Sequence, residues 1–93
     1  MEFEWDPQKA KKNLRKHGVP FAEAATIFDD PLAVTAPDPD HSSEEHRNIT
    51  IGTSNRLRLL IVSHIDRGGR VRIISARQLT RSERQAYEEK SQN

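Results

Sequence analysis

Apolar side chains in the first third of the chain recur every three or four positions, and from about residue 47 onward they alternate with polar ones. That change of period predicts helices first and strands afterwards. Asp6-Pro7 opens the first helix, because an aspartate side chain accepts free amide hydrogens and proline suits the first turn. Ala10, Leu14 and His17 then share one face at i, i+4 and i+7, and Lys9, Lys12 and Lys16 share the opposite face. Gly18 stops the helix. Pro20 begins a second helix with Phe21, Ala24, Ala25 and Phe28 on a narrow apolar face, and Asp29-Asp30-Pro31 closes it.

Four strands are expected next. Residues 32–36 form a short one, and 37–45 read as an acidic, turn-rich loop. Residues 47–51 alternate as a half-buried strand, 52–55 turn, and 57–65 make the longest strand. Asp66-Arg67-Gly68-Gly69 connects it by a hairpin to a strand over 70–76, in which Ile73-Ile74 suggests burial on both faces. Thr80-Arg81-Ser82-Glu83 is a capping box that starts a last helix running through Tyr87. Short turns between consecutive strands predict an α+β fold: two N-terminal helices, a four-stranded mainly antiparallel sheet and a C-terminal helix, in one domain over residues 1–93.

Composition narrows the chemistry. The chain has no cysteine, which excludes disulfides, thiolate zinc sites and a cysteine nucleophile. Its longest apolar run, Leu59-Leu60-Ile61-Val62, is far too short to span a membrane, and the acidic start does not resemble a secretory signal, so a cytoplasmic location is expected. No glycine-rich phosphate loop, serine elbow or hydrolase-spaced carboxylate pair is present.

The net charge of +1 conceals an asymmetry. Residues 1–46 carry 5 basic and 10 acidic side chains, and residues 47–93 carry 10 basic and 4 acidic. Nine of those basic groups are arginines between positions 47 and 84: Arg47, Arg56, Arg58, Arg67, Arg70, Arg72, Arg77, Arg81 and Arg84. The planar guanidinium fork grips phosphate and stays charged, so this half suits an RNA or DNA backbone, or else a solvated face paired with acids. In a regular strand Arg70 and Arg72 share a face with Ile74 and Ala76, and Arg77 points the other way. Either a bulge intervenes or the strand has ended by Arg77, at the rim beside a helix start that favours anions. Arg77 is therefore the arginine singled out for function.

Among the histidines, His17 ends a helix and His64 shares a strand face with Leu60 and Val62; structural roles compete with proton transfer at both. His41 and His46, with Asp38, Asp40 and Glu45, match no metal-ligand spacing, so no metal and no other cofactor is expected. Tyr87 packs on the sheet or stacks on a base. Trp5 anchors the first helix.

Several runs resemble one family. Phe3-Glu4-Trp5-Asp6-Pro7, Asn13 with Lys16-His17-Gly18, Phe21, Ala24 and Phe28-Asp29-Asp30-Pro31 are similar to the N-terminal half of the BrnT-type toxins. Asp40-His41-Ser42, Glu45 with Arg47, and Ile51-Gly52 resemble its middle. Arg67-Gly68, Arg72-Ile73-Ile74-Ser75-Ala76-Arg77, Thr80, Glu83-Arg84 and Tyr87-Glu88-Glu89 resemble its C-terminal strand and helix, the run from Ile73 to Arg77 being the most specific. The likeness covers roughly residues 3–89, with departures at Ile65 and Gly69.

The resemblance implies a toxin of a bacterial type II toxin–antitoxin pair with a RelE-like fold, which cuts RNA and arrests translation. It also implies a cognate antitoxin with a DNA-binding region, and repression of promoter DNA by the complex. A metal-independent endoribonuclease lets the RNA 2′-hydroxyl attack the neighbouring phosphate, so the protein must stabilise phosphorane charge and move protons. For that chemistry Arg67 and Arg77 are the leading phosphate ligands, with Arg47 and Arg72 in support. His17, then Glu45 or Tyr87, are the candidates for proton transfer, and Lys12 and Lys16 of the lysine stripe for holding RNA. A non-catalytic nucleic-acid- or antitoxin-binding module is the alternative.

Overall fold

A computed structural model describes residues 1–40 and 46–91. Strand β1 (Glu2–Glu4) leads into helix α1 (Pro7–His17), and α2 (Phe21–Ala25) continues as a 3-10 turn over Thr26–Asp29. Strands β2 (Val34–Pro37), β3 (Arg47–Thr53), β4 (Leu59–Arg67) and β5 (Arg70–Gln78) follow, and α3 (Arg81–Ser91) ends the fold. The sheet order is β1-β5-β4-β3-β2, with β1 parallel to β5 and the other pairs antiparallel. The expected four-stranded sheet is thus corrected to a mixed one of five strands. A three-residue strand carries almost no periodic signal, and β1 exists because Phe3 packs beside the core while Glu2 and Glu4 face Arg70 and Arg72.

The predicted boundaries hold where local chemistry sets them. Asp6 accepts the Gln8 N–H at 2.7 Å to start α1, and left-handed Gly18 ends it. Thr80 and Glu83 exchange the two bonds of a capping box, Glu83 N–H to Thr80 Oγ1 at 3.2 Å and Thr80 N–H to Glu83 Oε1 at 2.9 Å. Gly68 and Gly69 both have positive φ, as a two-residue turn matched to strand twist requires.

Two boundaries move. Strand β3 runs through Gly52 to Thr53, where a turn was expected, and β4 begins at Leu59. Gly52 is inside the strand because the 3-10 turn crosses it closely; a Cβ there would lie 3.0 Å from Ala33 Cβ and 3.2 Å from the Ile27 carbonyl. The second helix is also shorter than the apolar spacing to Phe28 suggested, its last turn tightening to 3-10.

Pairing sorts the sheet into two faces. Phe3, Leu60, Val62, Ile73 and Ala76 meet Val19, Phe21, Ala24 and Ile27 in the core, and Val71 is buried beside Phe3 on the same face. On α1 the buried position is Asn13, not Leu14, which is half exposed. Asn13 Nδ2 donates to the carbonyls of Val19 (3.0 Å) and Ala76 (2.8 Å), and its Oδ1 accepts the Ala76 N–H at 3.0 Å. Strand β1 stops opposite Arg72, so this amide serves as β5's outer neighbour at Ala76. An edge that would otherwise carry unpaired backbone groups is closed by one side chain.

Candidate active site

The face of the sheet opposite the core collects the arginines. Cross-strand partners share a face, which puts Arg47 with Ile65 and Arg72, Arg67 with Arg70, and Arg77 with Ile61 on that outer side. Arg77 reaches it through a bulge: Ser63 pairs with Ser75 and His64 with Ile73, so Ile74 has no opposite residue. The bulge reverses the alternation, and Arg77 joins Arg70 and Arg72.

A cleft of about 290 Å3 opens here, lined by His17, Asp38, Asp40, Ile49, Ile61, Ser63, Ser75, Ala76 and Arg77. Helix α1 runs along the β5 edge with Asn13 holding it, so its last residue, His17, arrives at the cleft. Asp38 lies at the opposite rim, buried after β2, where its N–H donates to the Arg47 carbonyl (2.8 Å) and its side chain accepts the Asp40 N–H (3.0 Å).

Among the described residues, Arg77 is held from one side. Its Nη1 and Nη2 donate to Glu83 Oε1 (2.7 Å) and Oε2 (3.0 Å), and Nη1 also donates to the Gln78 carbonyl (3.2 Å). The guanidinium beside Glu83, and next the Thr80 N–H, hold that carboxyl at about 2, and the same pairing raises Arg77 above its ordinary value. Guanidinium has five donors in two bidentate edges. Glu83 takes the terminal edge, and among the described residues the Nε–Nη2 edge has no partner. An oriented cation with a second fork available can bind a phosphate without breaking its support.

The remaining candidates scatter. Arg67 lies six steps along β4 from Ile61, the residue opposite Arg77, or roughly 20 Å at the usual strand rise, so the two do not meet on one phosphate. Arg67 instead rims a hollow with His64, Asp66 and Thr35. Arg72 Nη1 donates to Glu4 at 2.9 Å, a partner supplied by the strand not foreseen. Lys12 and Lys16 are exposed on α1. Tyr87 lies under α3, not in the cleft; its hydroxyl donates to the Leu32 carbonyl at 3.1 Å, and burial, then the Asp30 charge, pushes it above its ordinary value. Glu45, like His41, lies outside the described residues.

Sequence reasoning missed Ser63 and Ser75 on the cleft floor, and it weighed Asp38 and Asp40 as members of an acidic loop and of a rejected metal cluster, not as lining of this cleft. Their signal was weak: serines on the outer face of a strand read as ordinary polar positions until the register puts them side by side. His64, which shares a strand face with Leu60 and Val62, is fully buried. Its Nδ1 contacts Asp66 Oδ1 (2.8 Å) and its Nε2 contacts Thr50 Oγ1 (2.7 Å), which in turn meets Thr35 Oγ1 at 2.7 Å. This chain ties three strands together beneath Phe28 and does not reach the cleft.

Comparison with known proteins bears on the family and the fold. The family model for the ribonuclease toxin BrnT of type II toxin–antitoxin systems matches residues 5–83. The crystal structure of the Brucella abortus ribonuclease toxin BrnT superposes with a TM-score of 0.68 at 26% identity, covering 87% of this chain and 99% of that one. No curated protein sequence matches. A family model matched over residues 5–83, with a fold shared along most of the chain, makes this chain a member of the BrnT family of ribonuclease toxins of type II toxin–antitoxin systems.

Proposed function

We propose that the chain is a metal-independent endoribonuclease whose cutting of RNA arrests translation, and that its reacting phosphate binds between His17 and Arg77. The observation that carries this reading is their presence in one cleft on the outer face, with an Arg77 edge available. The Nε–Nη2 edge of Arg77 receives two phosphate oxygens and stabilises the charge that grows as the 2′-oxygen attacks. His17 is the proton-transfer group, taking the 2′-hydroxyl proton or returning one to the 5′-oxygen that leaves. The strand ends as a 2′,3′-cyclic phosphate.

Arg47, Arg67 and Arg72 act along the rest of the face, where they hold flanking phosphates of the same strand. Lys12 and Lys16 extend that hold past His17. The family implies a protein antitoxin as partner; we infer further that it carries a DNA-binding region and that the complex represses its own promoter.

The test is RNA cleavage in EDTA. Wild-type protein is expected to cut and leave cyclic-phosphate ends. Arg77→Ala should lower the rate by about 100- to 1,000-fold while melting only a few degrees lower through loss of the Glu83 pair, and His17→Ala should lower it by about 100-fold or more with unchanged melting. Arg67→Ala should change binding more than turnover. Cutting that appears only when a divalent ion is restored would overturn the metal-independent part. Salt-dependent RNA binding with no cutting under any condition would favour the binding module instead.

A further inference from the structure

An apolar groove of about 550 Å3 lies between α3 and the sheet, on the same outer face as the cleft. Its floor is the row Val34, Ile51 and Ile61, and its far wall is Ala86 and Tyr87 of α3, with Leu79 between β5 and that helix. Helix α3 stands off the sheet here, tied by the Tyr87 hydroxyl at Leu32 and by Glu83 at Arg77. Leu32 is 75% and Val34 56% exposed, a large apolar display for so polar a chain. The groove also runs into the cleft: Ile61 lines both, and Glu83 forms the groove wall while gripping Arg77.

Resting on the toxin reading above, we propose that this groove seats the antitoxin, through a segment with apolar side chains on the groove floor and a carboxylate beyond them at the arginine cleft. Charge decides the occupant. RNA is a polyanion whose apolar surface is limited to flat base faces; these stack on aromatic rings, whereas the floor of Val34, Ile51 and Ile61 is aliphatic, and every base brought in carries a phosphate with it. A second copy joined by a twofold axis would set the same surface against itself, bringing arginine face to arginine face. A partner that is apolar at one end and acidic at the other matches both halves at once. Seated there, it covers Arg77 and His17, so neutralisation follows from exclusion of RNA.

Calorimetric titration of the toxin with its purified cognate antitoxin tests this, using Val34→Glu and Ala86→Glu, two exposed positions outside the cleft. Each should weaken antitoxin binding by about 100-fold, since a carboxylate is being set into an apolar contact. RNA cleavage and melting should remain as in the wild type, and Leu57→Asp, 86% exposed and away from the groove, should leave affinity unchanged. If Val34→Glu does not fold, Ala86→Glu on the exposed side of α3 decides alone. Wild-type affinity in a folded groove variant overturns the proposal, as does an antitoxin complex that still cuts RNA. So does a toxin dimer that Val34→Glu dissolves without affecting antitoxin binding. If the chain never cuts RNA, the functional reading fails while the titration still judges the groove.

Discussion

Replacing Asn13 by alanine should destabilise the protein far more than a polar position on a short helix suggests. Three hydrogen bonds disappear together, and the N–H and carbonyl of Ala76 and the carbonyl of Val19 lose their partner in a site only 6% exposed. A buried donor left unmade costs about 1–3 kcal/mol, and the two acceptors add to it. Alanine regains about 0.5 kcal/mol through its better helix propensity, so the net loss is about 3 kcal/mol. Set against the ~5–14 kcal/mol typical of a domain this size, that is a large fraction. Urea unfolding at pH 7 reads it through the single tryptophan, Trp5, which packs edge-on against Phe21 at 6.0 Å. The midpoint should fall by about 2 M with an unchanged slope. Asn13→Asp should be at least as damaging, because it sets a carboxylate oxygen against two carbonyls. A loss under about 1 kcal/mol for alanine, or an aspartate variant as stable as the wild type, would refute the edge-closing role.

Two further outcomes follow from the ion pairs. Glu23 is 5% exposed and accepts from Arg58 Nε at 2.8 Å and Ser54 Oγ at 2.7 Å, with Arg58 foremost in lowering its carboxyl below the usual range. Arg58→Ala should therefore cost about 3 kcal/mol by stranding a buried charge, and the double variant with Glu23→Gln should recover part of it in the same unfolding assay. Glu83, held at about 2 against an ordinary 4.5, contributes stability that is complete above 4.5 and lost as pH falls from there through 2. Because its side chain is 39% exposed, solvent screening cuts this contribution to about 1 kcal/mol. Wild type minus Glu83→Gln should show that difference at pH 6 and none near pH 2.

The features legible in the sequence are those written in neighbouring residues. Asp6 with Gly18, Thr80 with Glu83, and the Gly68-Gly69 turn each act within one turn of chain, so their residue types alone announce them. The face that Arg77 takes was readable only as an open question of parity, which the bulge at Ile74 answers. What escaped reading depends on partners far away. Strand β1 forms against residues about seventy positions later, Asn13 is buried by a backbone edge sixty-three residues off, and Gly52 is demanded by Ile27. The separation of Arg67 from Arg77 needed the register of β4 with β5.

The unpaired Ile74 gives the chain a counting rule. Arg72 and Arg77 are five steps apart, an odd interval that a regular strand would divide between two faces, and one surplus residue restores them to the same side. The core fixes Ile73 and Ala76 along this stretch, and the bulge fixes the number of residues as well. Losing one residue between these arginines would turn Arg77 toward the core or drag the capping box of α3 out of place. For this surface, one deleted residue displaces a whole guanidinium, where a substitution alters only the side chain it replaces.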